Sequence, residues 1–174
     1  MIRAMAEHVH RPIVLPLSNP TSKAECAPAE AVAWSGGRAL VATGSPFPDV
    51  LHDGKRQVIG QANNMFIFPG VGLGALVAEA REIPNEVFLV AAREMAECVS
   101  QERLDTGAIY PPQTDLRRVS FRIACAVVRY ASEHNIGRVF ADEAVEKEVR
   151  RVVWDPAYVP IERPIPDATP SAIG

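Results

Sequence analysis

The residue pattern predicts an α/β fold in which a parallel sheet is followed by a mainly helical C-terminal segment. Three observations carry this reading. Two apolar runs, Ile13-Val14-Leu15-Pro16-Leu17 and Arg38-Ala39-Leu40-Val41-Ala42-Thr43, are each closed by turn chemistry. A stretch with helix-start signals lies between them, and beyond Pro69 apolar residues recur at helical spacing. Strand, helix, strand in that order brings two polar loops out at the same carboxyl end of a parallel sheet, where open sheets bind ligands.

The first run is apolar on both faces, as expected of a strand inside a sheet covered on both sides, although so short a run also fits a buried helix segment. Pro16 lacks a ladder donor and points instead to an edge or a bulge. After the Ser18-Asn19-Pro20-Thr21 turn, Ser22 and Glu25 have capping-box spacing, and Pro28 with Glu30 suits the first turn of a short helix. Gly36-Gly37 can stop that helix with positive φ. The second run is closed by Gly44-Ser45-Pro46-Phe47-Pro48, and Asp53-Gly54 is a tight turn between short extended pieces.

The run Met65-Phe66-Ile67-Phe68 leads to Pro69-Gly70 at the mouth of a helix. Gly70, Gly72 and Gly74 each lower helix propensity by about 1 kcal/mol relative to alanine, so their clustering implies close approach of backbones. A helix starting at Asn85-Glu86 carries the stripe Val87, Ala91, Met95 and Cys98. Tyr110-Pro111-Pro112 interrupts, and Asp115 caps a helix with Leu116, Val119, Ile123, Val127 and Tyr130 on one face. Asn135-Ile136-Gly137 ends it, and an amphipathic stretch from about Asp142 to Val152 follows. The proline-rich residues 160–174 are expected to form a mobile tail.

Composition narrows the function classes. The chain has 174 residues, 48% of them hydrophobic, enough for one domain with a core. Its 18 Lys and Arg against 21 Asp and Glu leave a net charge of -3 and no long basic block. Nucleic acid is therefore disfavoured as a partner. Cys26, Cys98 and Cys125 are widely spaced and read as small buried residues in a reducing compartment. No apolar run is long enough to span a bilayer, so a soluble, cytoplasmic protein is expected.

The polar candidates sit in turns. Asn19 follows the first strand, and Asn63 with Asn64 precedes the Met65 run. A carboxamide at a strand end can orient a carboxylate or carbonyl without bringing a charge; asparagine also suits turns because it bonds its own backbone. Ser45, between Gly44 and Pro46, lies where backbone N–H groups form an anion nest or only a loop. Glu25 is either a catalytic acid or a capping residue. His8, His10, His52 and His134 lack metal-site spacing, and Arg117-Arg118 beside Asp115 pairs a helix start or docks another domain. No Gly-x-Gly-x-x-Gly follows a strand, and no carboxylate cluster, lysine or tyrosine is placed for acid–base work. Two strands are few for a parallel sheet, so the sequence is expected to be truncated at its N-terminal side.

Seven blocks in order give a resemblance over about residues 11 to 158. They are 11–26 (RPIVLPLSNPTSKAEC), 37–47 (GRALVATGSPF), 60–70 (GQANNMFIFPG), Ile83-Pro84-Asn85-Glu86, Tyr110-Pro111-Pro112, Asp115-Leu116-Arg117-Arg118-Val119-Ser120 and Trp154-Asp155-Pro156-Ala157-Tyr158. Together they resemble the C-terminal portion of malic enzymes. The resemblance implies the second half of a Rossmann-like NAD(P)-binding domain over 1–69, a C-terminal helical segment over 70–159 and the tail beyond. It implies oxidative decarboxylation of (S)-malate to pyruvate and CO2, with NAD or NADP and with Mg2+ or Mn2+ acting as a Lewis acid.

By the same resemblance Asn19 and Asn63 contact malate, Asn64 lies at the nicotinamide end, and Ser45 is a cofactor-side candidate. No catalytic residue and no metal ligand falls in this chain, because the family's tyrosine acid, lysine base, malate-gripping arginine, metal carboxylates and glycine-rich loop lie upstream. Two departures stand out: Ala62 replaces a glycine that positive φ would require, and Ala27 replaces a threonine cap. The implied reading is a fragment of an oxidoreductase, inactive alone, from a family of homo-oligomers. The alternatives are a non-catalytic module that binds a homologous or complementary chain through its sheet edge, and a structural remnant.

Overall fold

The computed structural model describes residues 1–158. In chain order the elements are α1 (Ile2–His8), β1 (Ile13–Val14), α2 (Pro28–Trp34), β2 (Leu40–Thr43), β3 (Val50–His52), β4 (Lys55–Gln57), β5 (Gly60–Gln61), α3 (Phe68–Val77), α4 (Asn85–Glu97), α5 (Gln101–Asp105), α6 (Leu116–Glu133) and α7 (Asp142–Val152). Strands β1, β2 and β5 form a three-stranded parallel sheet in that spatial order, and β3 and β4 form a separate antiparallel hairpin. The expected α/β architecture, sheet first and helices after, is what the chain adopts. The expected tail, 160–174, lies outside the described residues.

The sheet differs from expectation in three respects. It gains β5, two residues paired with Ala42 and Thr43, which no apolar periodicity announces. The first run is regular only at Ile13 and Val14, paired with Leu40 and Val41. Its side chains are also not covered on both faces, since Ile13, Leu15 and Leu17 remain 54%, 43% and 46% exposed. Among the described residues β1 is an edge strand, which accommodates Pro16: its carbonyl accepts the Gly44 N–H at 3.1 Å, and its missing donor costs no ladder bond.

Local chemistry fixes the connections. Glu30 accepts the Ala27 N–H at 2.9 Å, so α2 is capped from its third residue although Ala27 has no acceptor to offer. Gly36 and Gly37 stop α2 with φ of 63° and 76°. Ser35 then ties the end of α2 to the start of β2, its Oγ donating to the Val32 carbonyl and accepting the Ala39 N–H. Asp53 and Gly54, at φ 48° and 73°, form the hairpin turn. The Ser22–Glu25 capping box does not form. Residues Thr21–Lys23 make a short 3-10 turn without a side-chain cap, and Glu25 turns back to Ser18. Asp115 caps α6 by position only, its carboxylate pairing with Arg118 instead.

Three apolar clusters hold the fold. Ala31 and Val32 of α2 meet Val41, Val50 and Ile59 beneath the sheet. Phe66, Val71, Val87, Ala91, Val119, Ile123 and Val127 join α3, α4 and α6. Val77, Ala124, Val128, Val145 and Val149 extend the core to α7. The glycines of α3 explain its tight packing on α6: a Cβ on Gly70 would lie 2.6 Å from that of Ile123, and one on Gly74 2.6 Å from that of Val127. Gly72 departs from the expectation, since nothing lies within 4 Å of its would-be Cβ.

Candidate functional site

Because the three strands run parallel and in register, the segments that follow them leave the sheet at one end. The turn after β1 carries Asn19, the turn after β2 carries Ser45, and the turn after β5 carries Asn63 and Asn64. All four residues singled out from sequence therefore lie at the carboxyl end of the sheet. At the usual spacing of about 4.8 Å between strands, the outer strand ends are roughly 10 Å apart.

Backbone contacts bring the turns together. The β2–β5 ladder continues one residue past β5, with Ala62 N–H donating to the Thr43 carbonyl at 2.8 Å. Ala62 is not among the residues with positive φ, so its replacement of glycine imposes no left-handed strain. Gly44 lets the β1 and β2 turns touch: a Cβ there would lie 2.1 Å from the Leu17 carbonyl oxygen and 3.2 Å from the Asn19 amide nitrogen. The Gly44 carbonyl in turn accepts from Gln61 Nε2 at 3.0 Å, and Gln113, 52 residues later, donates to Gln61 Oε1.

These contacts orient the amides. Ser45, 7% exposed, donates its hydroxyl to Asn19 Oδ1. Thr43, fully buried, donates to the Ser45 carbonyl at 2.8 Å and holds the turn from behind. Asn63 begins a 3-10 turn, Asn64–Phe66, and its Oδ1 accepts the Met65 N–H at 3.0 Å. Both carboxamides thus have their oxygens engaged by protein donors, and neither Nδ2 donates to another described residue. What they offer outward is N–H, which suits carboxylate or carbonyl oxygens. Asn64 is exposed beside Asn63.

Glu25 supports the same turn. Its carboxylate accepts the Ser18 hydroxyl at 2.7 Å and the Ser18 N–H at 3.3 Å. The Ser18 hydroxyl, followed by backbone donors, holds the Glu25 carboxyl below its usual range. An ionised anchor for the residue before Asn19 is a different task from proton donation. Among the described residues no group of three or more His, Cys, Asp or Glu side chains is arranged to hold a metal ion. No helix among them is long and apolar enough to cross a membrane.

The site residues that sequence reasoning missed are Gln61 and Gln113. Gln61 sat inside a recognised block, but its partner is far along the chain and no spacing signals the contact. A cleft of about 750 Å3 lies along the exposed side of β1 between α1 and α2, lined by Met1, Ile2, Met5, Ile13, Leu15 and Trp34 among others.

Comparison with known proteins gives a consistent picture. The family model described as malic enzyme, NAD binding domain, matches residues 1–132. A curated NAD-dependent malic enzyme of Aliivibrio fischeri is 44% identical over 158 residues, 91% of this chain and 28% of that protein. NAD-dependent malic enzyme 1 of Vibrio vulnificus is 43% identical over the same shares. Among solved structures, the malic enzyme of Pyrococcus horikoshii aligns with a TM-score of 0.61 at 28% identity, covering 86% of this chain and 31% of that one. The Entamoeba histolytica malic enzyme gives 0.63 at 25%, covering 81% and 26%. The chain thus spans 28% of the length of these curated relatives.

Proposed function

Since the chain belongs to the malic enzyme family, we propose that it forms one wall of a site at which (S)-malate is oxidised and decarboxylated to pyruvate and CO2 with NAD or NADP. One observation carries the reading: Asn19 and Asn63, at the same end of the sheet, both have their amide oxygens occupied by the protein, and among the described residues their side-chain N–H groups meet no acceptor. Two neutral donors presented from neighbouring turns at one end of the sheet can each hydrogen-bond one end of a small diacid. Neutral donors also avoid the desolvation cost of an extra buried charge.

In this reading Asn19 and Asn63 grip malate oxygens and fix the reacting carbon, where small misplacement costs rate steeply. Asn64 faces the nicotinamide end. The Ser45 hydroxyl is spent on Asn19, so its contact with the cofactor would come from its backbone N–H. Bound NAD(P) supplies the hydride acceptor. Among the described residues no side-chain group fits the Mg2+ or Mn2+ implied by the resemblance. Glu25, the carboxylate that supports the Asn19 turn, is committed to Ser18; in this reading acid, base and metal work falls to parts of the enzyme outside this chain, and the chain alone is expected to be inactive.

Residues 1–69 then form the sheet half of the cofactor domain and 70–159 the helical segment behind it, in a cytoplasmic homo-oligomeric enzyme. A second reading, a non-catalytic module that docks on a homologous or complementary malic enzyme chain, is favoured by the exposed apolar side of β1. Malate-dependent NAD(P)H formation with Mn2+ separates the two, measured with this chain alone and with an N-terminal complement from a relative. Turnover only in the mixture, abolished by Asn19→Ala or Asn63→Ala, supports the first reading. Stable association without turnover supports the second, and turnover by the chain alone overturns the assignment of acid–base work elsewhere.

A further inference from the structure

Cations gather at the end of the sheet opposite the amides. The segments leading into β1 and β2 carry His10, Arg11 and Arg38, and β4 adds Lys55 and Arg56. With Gln57 and Thr106 among the other lining residues, they surround a cleft of about 280 Å3 in which Asp105 is the one acidic residue. The whole chain is acidic, at -3, so this local excess does not follow from composition. Arg56 is matched by Asp49, and Asp105 is bonded by the Gln101 amide at 2.8 Å.

Arg38 is held differently. Its Nη1 donates to the His10 carbonyl at 2.9 Å, its Nη2 to that of Ala6 at 2.8 Å and its Nε to that of Ser35 at 3.1 Å. Three carbonyls orient the guanidinium rigidly without supplying a counter-charge. Arg11 and Lys55 are exposed and make no ion pair among the described residues. One fixed cation and two adjustable ones, on separate segments lining one cleft, can close charge-assisted bonds on an anion.

We propose that this cleft binds a small oxyanion of the phosphate class, either the free anion or the phosphoryl end of a small metabolite, at a place separate from the Asn19 turn. Its volume, about 280 Å3, lies at the small end of ligand clefts, which run roughly 300–1,000 Å3, and suits a small anion better than a dinucleotide. Arg38 serves as the platform, and Arg11 and Lys55 supply the grip.

The test is calorimetric titration of the chain with inorganic phosphate at constant ionic strength, with sn-glycerol 3-phosphate in parallel. Saturable binding is expected, weakened at least about tenfold in the Arg11→Ala, Lys55→Ala double variant, since each charge-assisted contact is worth roughly that much. Arg38 is left intact because it holds backbone. The charge-preserving pair Arg11→Lys, Lys55→Arg should retain binding, and Lys147→Ala, an exposed cation on α7, should change nothing. Tighter binding of the ester assigns the site to a phosphorylated metabolite, and weaker binding to the free anion. Absence of saturable binding overturns the proposal, as do alanine variants that are folded by circular dichroism and bind like the parent. An equal loss in Lys147→Ala or in the charge-preserving pair does so too.

Discussion

The Ser45 hydroxyl donates to the Asn19 carboxamide oxygen, joining two turns that are 26 residues apart in sequence. That bond decides which end of the Asn19 amide faces outward. Ser45→Ala should release the amide while leaving the fold intact, at a cost near 1 kcal/mol for one hydrogen bond. In an enzyme reconstituted with the complementary segment, the expected result is a several-fold rise in the KM for malate with a smaller change in melting temperature. An unchanged KM would mean that Asn19 is oriented by something else.

Gly44 has a stricter requirement. A methyl group there would meet the Leu17 carbonyl at 2.1 Å, and the obstacle is backbone, not a movable side chain. Gly44→Ala should therefore destabilise by about 1–3 kcal/mol, the range for forced shifts in packed regions. Urea unfolding measures it directly, and a neutral result would show that the two turns separate freely.

The α3 glycines give an internal contrast. Gly70→Ala and Gly74→Ala should each cost about 1–3 kcal/mol through collision with α6. Gly72→Ala, with open space around it, should stabilise by up to about 1 kcal/mol through helix propensity. Thermal melts of the three variants should split two against one, and a uniform response would refute the close crossing of α3 and α6.

Glu25 introduces a pH dependence whose sign follows from its lowered pKa. A carboxyl that is more acidic when folded stabilises the native state above its unfolded pKa, about 4.3, and loses that contribution as pH falls through the folded value. Glu25→Gln should therefore melt below the parent at neutral pH and converge with it in acid. Because the group is exposed, the difference should be small and should shrink with salt. A gap that widens on acidification would reverse the assignment.

Sequence periodicity exposed the helices that bury one face. Val87 and Ala91 on α4, Cys98 at its C-terminal end, and Val119, Ile123 and Val127 on α6 are buried as their spacing implies. The strand ends with Asn19, Ser45 and Asn63 were also legible, because turn residues punctuate apolar runs. The sheet's third strand was not: Gly60 and Gln61 pair through backbone alone, and backbone pairing leaves no mark on residue type. Local spacing pairs Glu25 with Ser22, whereas the chain reverses and offers Ser18 instead. The Gln61–Gln113 bond depends on how α6 docks, which no local pattern encodes. α1 and α5, at seven and five residues, were too short to show a period.

The bare contact of α3 on α6 also affects how motion is passed on. With glycine at positions 70 and 74, α3 sits directly against the Ile123 and Val127 side chains and the Ser120 and Ala124 carbonyls of α6, and packed interiors transmit displacement instead of absorbing it. The turn bearing Asn63 runs directly into α3. The seating of α3 on the 18-residue α6 therefore helps set where that turn stands, so the position of the Asn63 amide is tied to packing in the helical half.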